Sequence, residues 1–464
     1  MRKILLSLLL IFIFFELSSQ SYLEVLWKQS ETYSKELKIN LLDYENTLLE
    51  YNSRYSLFYP SFYISTNYDY IRLETPKDLN KYPLKYYTSF GFDWDSMGGT
   101  SLQTSISYEM NRYILDSLEE LSVDNSGYNQ NPVLSLSINQ SLLPYYFQGK
   151  AKNPFLLSYD NQFRSAQNSM LTVMAGIKTN ITDYFIQLRK LLRNQIILTN
   201  QIEMQTILCD AAFIKLEQGS ITQLDYWNYE SSLNEYQNNL CEVTLQIDNI
   251  KRELELLCGN INYAEINNEL PASSIRLLEK DYTLEAFEIQ KDELDNNLII
   301  SRQNNAPSLS ITGSYSDDLD AVKLEKTKEA WSSSGEKKWT VSVGFSISPK
   351  NVNQINKEKA AYRNNIQSLE EQKTIYLENK TEEISTYKKL ITYYTDVQSQ
   401  KKKNVGKQKA YYEAMQSKHN RGLCSELDLL QAKLIYDNSK FDLENINDSL
   451  WYYNFLLYQL EVEK

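Results

Sequence analysis

The organisation of this chain is indicated by one short stretch, GSITQLD at residues 219–225, which recurs as GLCSELD at residues 422–428. The two copies are 203 residues apart. The matched positions are Gly219 and Gly422, Thr222 and Ser425, Leu224 and Leu427, and Asp225 and Asp428. A constant offset at every matched position predicts two internal repeats, at residues 20–258 and 275–464, joined by a linker at 259–274.

Each copy has the residues of a tight turn between two helices. Glycine adopts the left-handed backbone conformation that commonly ends a helix. The Ser or Thr three residues later can cap the next helix. The Asp three residues beyond the cap can accept from the backbone N–H of the cap residue and meets the positive end of the helix. We therefore predict a helix–turn–helix at each copy.

Long helical patterns precede both turns. Apolar residues between Ile181 and Ile196 recur with a spacing of three and four, as on one face of an α-helix. The predicted long helices cover about 151–218 and 352–421, and each would be about 100 Å long at 1.5 Å per residue. Shorter helices are predicted at about 22–57, 223–257, 275–304 and 426–460.

Strand patterns bounded by proline lie in the other part of each half. Residues 340–348 read TVSVGFSIS and residues 308–315 read SLSITGSY, and similar alternation occurs at 61–68 and 133–140. Alternation of large apolar with small polar residues predicts two-sided strands, at about 60–142 and 307–348. One side would face lipid and the other a polar lumen, as in an outer-membrane β-barrel.

The number of strands per chain stays open at this point. Pro60 and Pro144 are 84 residues apart, whereas Pro307 and Pro349 are 42 apart. The surplus contains two further alternating segments, 87–94 and 102–108, on either side of a Gly-Gly turn, so each chain supplies four or six strands. So few strands would leave unpaired edges in lipid, and we therefore expect several chains to share one barrel.

The first residues predict export. Arg2 and Lys3 precede an apolar run at 4–15 and small polar residues at 18–20, which is the pattern of a signal peptide, here residues 1–19. No later stretch approaches about 18 consecutive apolar residues. The four cysteines are widely spaced, and both free thiols and disulfides remain possible.

The composition and motifs argue against several classes of function. A net charge of −12 is unfavourable for binding nucleic acid. One histidine excludes a His-Glu-x-x-His zinc site, and neither a Gly-rich phosphate loop nor a nucleophile elbow is present. We predict no catalytic residue, metal or cofactor, and hence no enzyme. A fibrous coiled-coil envelope protein or adhesin is the alternative, although it does not explain the strands.

In the order and spacing of these features the chain resembles the TolC family of outer-membrane efflux proteins. The resemblance implies an α+β membrane protein that forms a homotrimer, with a shared transmembrane β-barrel in outer-membrane lipid and a long, coiled-coil-like α-helical barrel in the periplasm. It also implies a passive exit duct for efflux or type I secretion. The duct would be opened by a periplasmic adaptor (membrane fusion) protein and an inner-membrane transporter.

The resemblance also assigns roles to residues. Both turns would form the adaptor-binding tips, through Gly219, Thr222, Leu224, Asp225, Gly422, Ser425, Leu427 and Asp428. The periplasmic aperture would be formed by Asp225, His419, Cys424, Asp428 and Gln431. Family members have a tyrosine, an arginine and a second aspartate where this chain has His419, Cys424 and Gln431. The family's gate contacts are therefore not expected here in the same form, although a ring of Asp428 would keep the aperture acidic.

Overall fold

A computed structural model of the chain describes residues 21–69, 80–96, 99–115, 126–143, 154–267, 269–318, 337–347 and 349–461. These residues form mostly α-helices together with one antiparallel sheet, so the α+β class is confirmed. The predicted signal peptide lies outside the described residues. Within them, no helix has the length and apolar character needed to cross a bilayer.

Long helices alternate with groups of strands along the chain. The helices are α1 Tyr22–Tyr33, α2 Lys35–Ser53, α3 Pro154–Glu217, α4 Gln223–Cys258, α5 Tyr282–Asn305, α6 Pro349–Asn420 and α7 Glu426–Leu460, with short 3-10 turns at Arg54–Phe58 and Tyr263–Glu265. The strands are β1 Ser61–Asp69, β2 Asn80–Asp95, β3 Thr100–Leu115, β4 Ser126–Leu143, β5 Ser308–Asp318 and β6 Lys337–Ser346. The longest helices, α3 and α6, have 64 and 72 residues and each begin at a proline, which lacks the N–H that a first helical turn leaves unbonded.

The chain divides into two compact units. The helical unit comprises Met1–Asn46, Ser165–Glu288 and Glu370–Lys464, and the sheet unit comprises Thr47–Arg164 and Ile289–Leu369. Each unit therefore draws segments from both of the predicted repeats. This division separates the turns, which lie in the helical unit, from the strands, which lie in the sheet unit.

The core of the helical unit forms around α1. Leu26 is fully buried, and the indole N–H of the buried Trp27 donates to the carbonyl oxygen of Lys178 and to Oγ1 of Thr182, both at 3.1 Å. The ring of Trp27 also stacks on Phe455 of α7, with ring centroids 5.8 Å apart. The helix α1 is therefore bound to both α3 and α7.

Two helix boundaries differ from the predicted ones. The helix predicted at 22–57 is interrupted at the buried Ser34, whose extended backbone ends α1 and whose Oγ accepts from the N–H of Leu37 in α2. The irregular segment predicted to end at 274 continues to Asp281, because Oδ1 of Asp281 accepts from the N–H groups of Thr283 and Leu284 and so sets the start of α5.

The sheet is an antiparallel meander in the order β1-β2-β3-β4-β5-β6. The pairing of β4 with β5 joins strands from the two halves of the sequence, with Ser137 opposite Ser314. Among the described residues the chain thus contributes six strands, which answers the question that the sequence left open. β1 and β6 each have a single described neighbour and form the two edges of the sheet.

Candidate functional site

The two matched turns have the same backbone geometry. Gly219 and Gly422 have φ angles of 69° and 72°, in the left-handed region. The residue after each glycine donates its N–H to a carbonyl five residues back, at 2.8 Å in the first turn and 2.9 Å in the second. This is the hydrogen bond of a Schellman motif, which satisfies a carbonyl left free where a helix ends.

Each turn then starts the next helix with a reciprocal cap. In the first, the N–H of Asp225 donates to Oγ1 of Thr222 at 3.2 Å, and the N–H of Thr222 donates to Oδ2 of Asp225 at 3.0 Å. In the second, the same bonds join Asp428 to Ser425 at 3.1 Å in both directions. The capping arrangement predicted from the sequence is therefore present at both turns.

Hydrogen bonds favour the ionised form of both capping carboxylates. The hydroxyl of Thr222 donates to Oδ2 of Asp225 at 2.7 Å, and the hydroxyl of Ser425 donates to Oδ2 of Asp428 at 2.6 Å. These side-chain bonds, followed by the backbone bonds, lower the pKa of both carboxyl groups, because they favour the charged form. Both side chains are exposed, so each turn presents a negative charge to solvent at neutral pH.

The apolar residues at the two turns differ. In the first turn Leu224 is 66% exposed, and Trp227 one helical turn later is also exposed. In the second turn the matched Leu427 is half-buried, and the exposed apolar side chain is Leu423, just after the glycine. The shared motif predicted neither Trp227 nor Leu423, since neither position is matched between the two copies.

His419 and Cys424, two of the residues expected at an aperture, form contacts around their own turn. Nδ1 of His419 lies 3.3 Å from the carbonyl oxygen of Cys424, a distance at which the Nδ1–H tautomer donates a hydrogen bond to that oxygen. The thiol of Cys424 donates to the carbonyl oxygen of Met415 at 3.4 Å. Gln431 is exposed on α7. The side chains of His419 and Cys424 therefore contact backbone carbonyl groups within residues 415–424, around the second turn.

The four cysteines are free thiols. Cys209 and Cys258 are buried, Cys424 is half-buried and Cys241 is exposed. Burial raises the pKa of the Cys258 thiol to about 12, which keeps it protonated and unreactive. Of the two possibilities left open by the spacing, the structure has the unpaired one.

One face of the sheet is apolar on every strand. Residues that pair across neighbouring strands share a face. The register places on one face Phe62 and Ile64 of β1, Phe90, Phe92 and Trp94 of β2, Leu102 and Ile106 of β3, Leu134, Leu136 and Ile138 of β4, Leu309, Ile311 and Tyr315 of β5, and Trp339, Val341, Val343 and Phe345 of β6. Many of these side chains are exposed in the single chain.

The opposite face is rich in hydroxyl groups. Serines occur on it in all six strands, at positions 61, 65, 89, 101, 105, 107, 135, 137, 141, 308, 310, 314, 316, 342 and 346. Several hydroxyl groups bond across strands, with Oγ–Oγ distances of 2.6 Å for Ser65 with Ser89 and for Ser105 with Ser135. One surface of the sheet is thus suited to hydrocarbon and the other to water.

The chain is similar to several solved outer-membrane proteins. The outer-membrane protein VceC of Vibrio cholerae superimposes with a TM-score of 0.58 at 12% identity, over 95% of both chains. The outer-membrane channel CmeC of Campylobacter jejuni has a TM-score of 0.58 at 13% identity, over 95% of this chain and 85% of that one. The open state of the MtrE channel of Neisseria gonorrhoeae has a TM-score of 0.55 at 12% identity, over 95% and 88%.

This chain has the TolC-type fold. No family model and no curated protein matches its sequence. At 12–13% identity, the similarity describes the fold and leaves function to be argued from the residues.

Proposed function

We propose that this protein is an outer-membrane channel, the exit duct of a tripartite efflux or type I secretion system. After removal of the signal peptide, the sheet would lie in the outer membrane and the helices in the periplasm. The observation that carries the proposal is the apolar face that continues across all six strands of the sheet. A face of that kind needs a hydrocarbon environment, and the hydroxyl-rich face opposite it needs water.

The two edges of the sheet support a shared barrel. An unpaired strand edge in lipid leaves backbone N–H and C=O groups without partners, which costs several kcal/mol for each group. Because the meander has an even number of strands, β6 of one copy runs antiparallel to β1 of the next in a closed ring. We take the ring to be a homotrimer, as the TolC-type fold suggests.

The turns are proposed as the docking sites for a periplasmic adaptor protein. The exposed backbone around Gly219 and Gly422, with Leu224 and Leu427 beside the caps, would receive the adaptor, and binding of an inner-membrane transporter would complete the assembly. Asp225 and Asp428 would make the aperture negatively charged, with His419, Cys424 and Gln431 nearby. The duct itself would supply no energy and would open when partner binding favours splayed tips.

The experiment pairs variants of the second turn with a control on the same helix. Gly422→Val and Asp428→Ala are expected to reduce export of a cargo and crosslinking to the adaptor, while heat-modifiable trimers persist in the outer-membrane fraction. Asp442→Ala, at an exposed ion pair further along α7, should change neither. Unchanged export and crosslinking in both turn variants would contradict the docking assignment.

The same fractionation tests the channel itself. We expect the unaltered protein to stay in the membrane after salt and urea washing. A protein that washes off and forms no heat-modifiable oligomer would instead fit the fibrous envelope protein, and would overturn the channel proposal.

A further inference from the structure

We propose that the hairpin of β2 and β3 is an insertion in the pore wall that sets the width of the membrane pore. The inference rests on the proposed channel function and concerns the size of cargo that the pore admits. The two halves of the chain differ in strand number, since the first contributes β1 to β4 and the second only β5 and β6 among the described residues. In chain order, β1 and β5 each follow a shorter helix, and β4 and β6 each precede a long helix, which leaves the hairpin of β2 and β3 without a counterpart among the described residues of the second half.

Both strands of the hairpin alternate apolar and polar residues, as the strands of a membrane β-barrel do. Ile64 of β1 pairs with Phe90 of β2, Phe90 with Ile106 of β3, and Ile106 with Leu134 of β4. This row of apolar side chains crosses the hairpin without interruption. A hairpin that folded away from the wall as a flap would not need its apolar residues in register with those of both neighbouring strands.

The hairpin is also bound to both neighbouring strand regions near its turn. The indole N–H of Trp94 donates to the carbonyl oxygen of Phe58, just before β1, at 2.9 Å. On the other side, the N–H of Ser141 in β4 donates to the carbonyl oxygen of Gly99 at 2.9 Å. The side chain of Tyr63 lies so close to Gly91 that a Cβ there would clash with the ring. These contacts make the hairpin a structural part of the sheet.

The register shows that the wall could close without the hairpin. Ser61 pairs with Asp93, Asp93 with Gln103, and Gln103 with Ser137, so Ser61 and Ser137 lie at the same level and on the same face. β1 and β4 run in opposite directions, because an even number of strands lies between them in an antiparallel meander. Direct pairing of β1 with β4 would therefore keep the apolar residues of both strands on one side.

The hairpin changes the size of the closed barrel. In a trimer, six strands per chain make an eighteen-stranded wall, and four strands per chain make a twelve-stranded wall. Barrel diameter grows roughly in proportion to strand number, so the wall without the hairpin would have about two-thirds of the diameter. The strands of the hairpin add serines, Gln103 and the carboxylates of Asp93 and Asp95 to the hydroxyl-rich face. The inserted hairpin thus widens the pore for bulkier cargo and also adds negative charge to the pore lining.

Cysteine pairs test the insertion in the full-length protein, with exposed Cys241 and half-buried Cys424 replaced by Ser. Ser65→Cys with Ser89→Cys joins β1 to β2, and Ser105→Cys with Ser135→Cys joins β3 to β4. We expect both pairs to form disulfides within one chain in the assembled membrane protein. The control pair, Tyr63→Cys with Ser135→Cys, lies opposite only if β1 pairs directly with β4, and it should stay reduced. A disulfide in the control pair, with none in the other two, would overturn the inference.

A deletion tests the effect on width. Residues 70–128 are replaced by a two-residue Asn-Gly turn, which places Asp69 opposite Asn129 and Phe62 opposite Leu136. Electron microscopy of purified trimers should show a barrel of about two-thirds the original diameter. An unchanged diameter would contradict the inference. If the deletion variant does not assemble, the cysteine pairs decide the question. If the unaltered protein forms no membrane trimer, the channel proposal itself is wrong.

Discussion

The helical unit has a buried apolar core, whereas the sheet unit exposes the apolar residues of one face. In the helical unit Leu26, Ile181 and Phe455 are fully buried, and the chain supplies its own core. In the sheet unit Val341 is 78% exposed and Val343 is 68% exposed, although both belong to a continuous apolar face. The comparison teaches that one chain is sufficient to bury the core of the helical unit, whereas a single chain leaves the apolar face of the sheet uncovered, which is what the proposed membrane-embedded oligomer would account for.

The two units also differ in their polar residues. The helical unit buries a charged cluster in which Oδ2 of Asp448 accepts from Nε of Arg189 at 2.9 Å and from Nη1 of Arg193 at 2.7 Å. The sheet unit instead pairs neutral hydroxyl groups across strands, as between Ser65 and Ser89. The helical unit thus encloses a group of paired charges in protein, whereas the hydroxyl-rich face of the sheet carries small neutral groups together with Asp93 and Asp95.

The largest expected effect is on the buried cluster of the helical unit. Asp448→Ala leaves the guanidinium groups of Arg189 and Arg193 buried without that carboxylate, and should lower the free energy of unfolding by about 3–5 kcal/mol. Asp442→Ala removes an exposed ion pair with Lys401 on the same helix and should cost about 0–1 kcal/mol. Denaturant unfolding measures both. Equal losses in the two variants would show that the cluster does not stabilise the unit.

The next effect distinguishes the two faces of the sheet at adjacent positions. Val341→Arg puts a charge on the apolar face of β6 and should cost about 2–4 kcal/mol if that face meets hydrocarbon. Ser342→Arg puts the same charge on the hydroxyl-rich face, where water is available. We expect the heat-modifiable oligomer to be lost from the outer-membrane fraction for the first variant and retained for the second. Equal amounts of oligomer would argue against a lipid-facing side.

A smaller effect on stability is expected to distinguish a glycine in a turn from a glycine inside a helix. Gly422→Ala should destabilise by about 1–2 kcal/mol, because an alanine is strained at a φ of 72°. Gly406→Ala, inside α6, should stabilise by about 0.5–1 kcal/mol. A new Cβ meets nothing within 4 Å at either glycine, so the opposite signs reflect backbone conformation alone. Thermal unfolding measures both effects. A change of the melting temperature in the same direction in both variants would contradict the turn geometry.

The smallest effect is the pH dependence of the caps. Hydrogen bonds lower the pKa of Asp225 and Asp428 in the folded protein, so their stabilisation is fully present above the unfolded pKa of about 3.9 and is lost as pH falls through the folded value. The protection factors against hydrogen exchange at the N–H groups of Thr222 and Ser425, taken relative to the intrinsic rate at each pH, should fall in that acidic range. Asp225→Asn removes the titrating group and should make exchange at Thr222 independent of carboxyl protonation. The same acid response in Asp225→Asn would exclude the cap as its cause.

Local patterns in the sequence predicted much of the structure. The alternation TVSVGFS at 340–346 places Val341, Val343 and Phe345 on one face, as period-two spacing requires. The motif around Gly219 predicted the reciprocal cap of Thr222 and Asp225, since glycine, cap and carboxylate act within a few residues of one another. These features depend on neighbours in the sequence and can therefore be read from it.

Features that depend on distant residues could not be predicted in the same way. The strand number stayed open because the pairing of β1 with β2 and of β4 with β5 is decided by packing across the sheet. The bond from Arg189 to Asp448 joins residues 259 positions apart, and no periodicity indicates it. The sequence did not predict the break at Ser34, because a serine can lie inside a helix or cap one. The choice between these two depends on the burial of the Ser34 side chain, which the local sequence does not show.

The most direct test of the central claim is a cysteine scan along β6 in the intact outer membrane. Single cysteines at 339, 341, 343 and 345 should react with a lipid-soluble reagent and resist a water-soluble maleimide. Cysteines at 338, 340, 342 and 344 should react with the maleimide. Strict alternation would show that the apolar face meets lipid and the hydroxyl-rich face meets water. Uniform reaction with the maleimide at all eight positions would contradict the account.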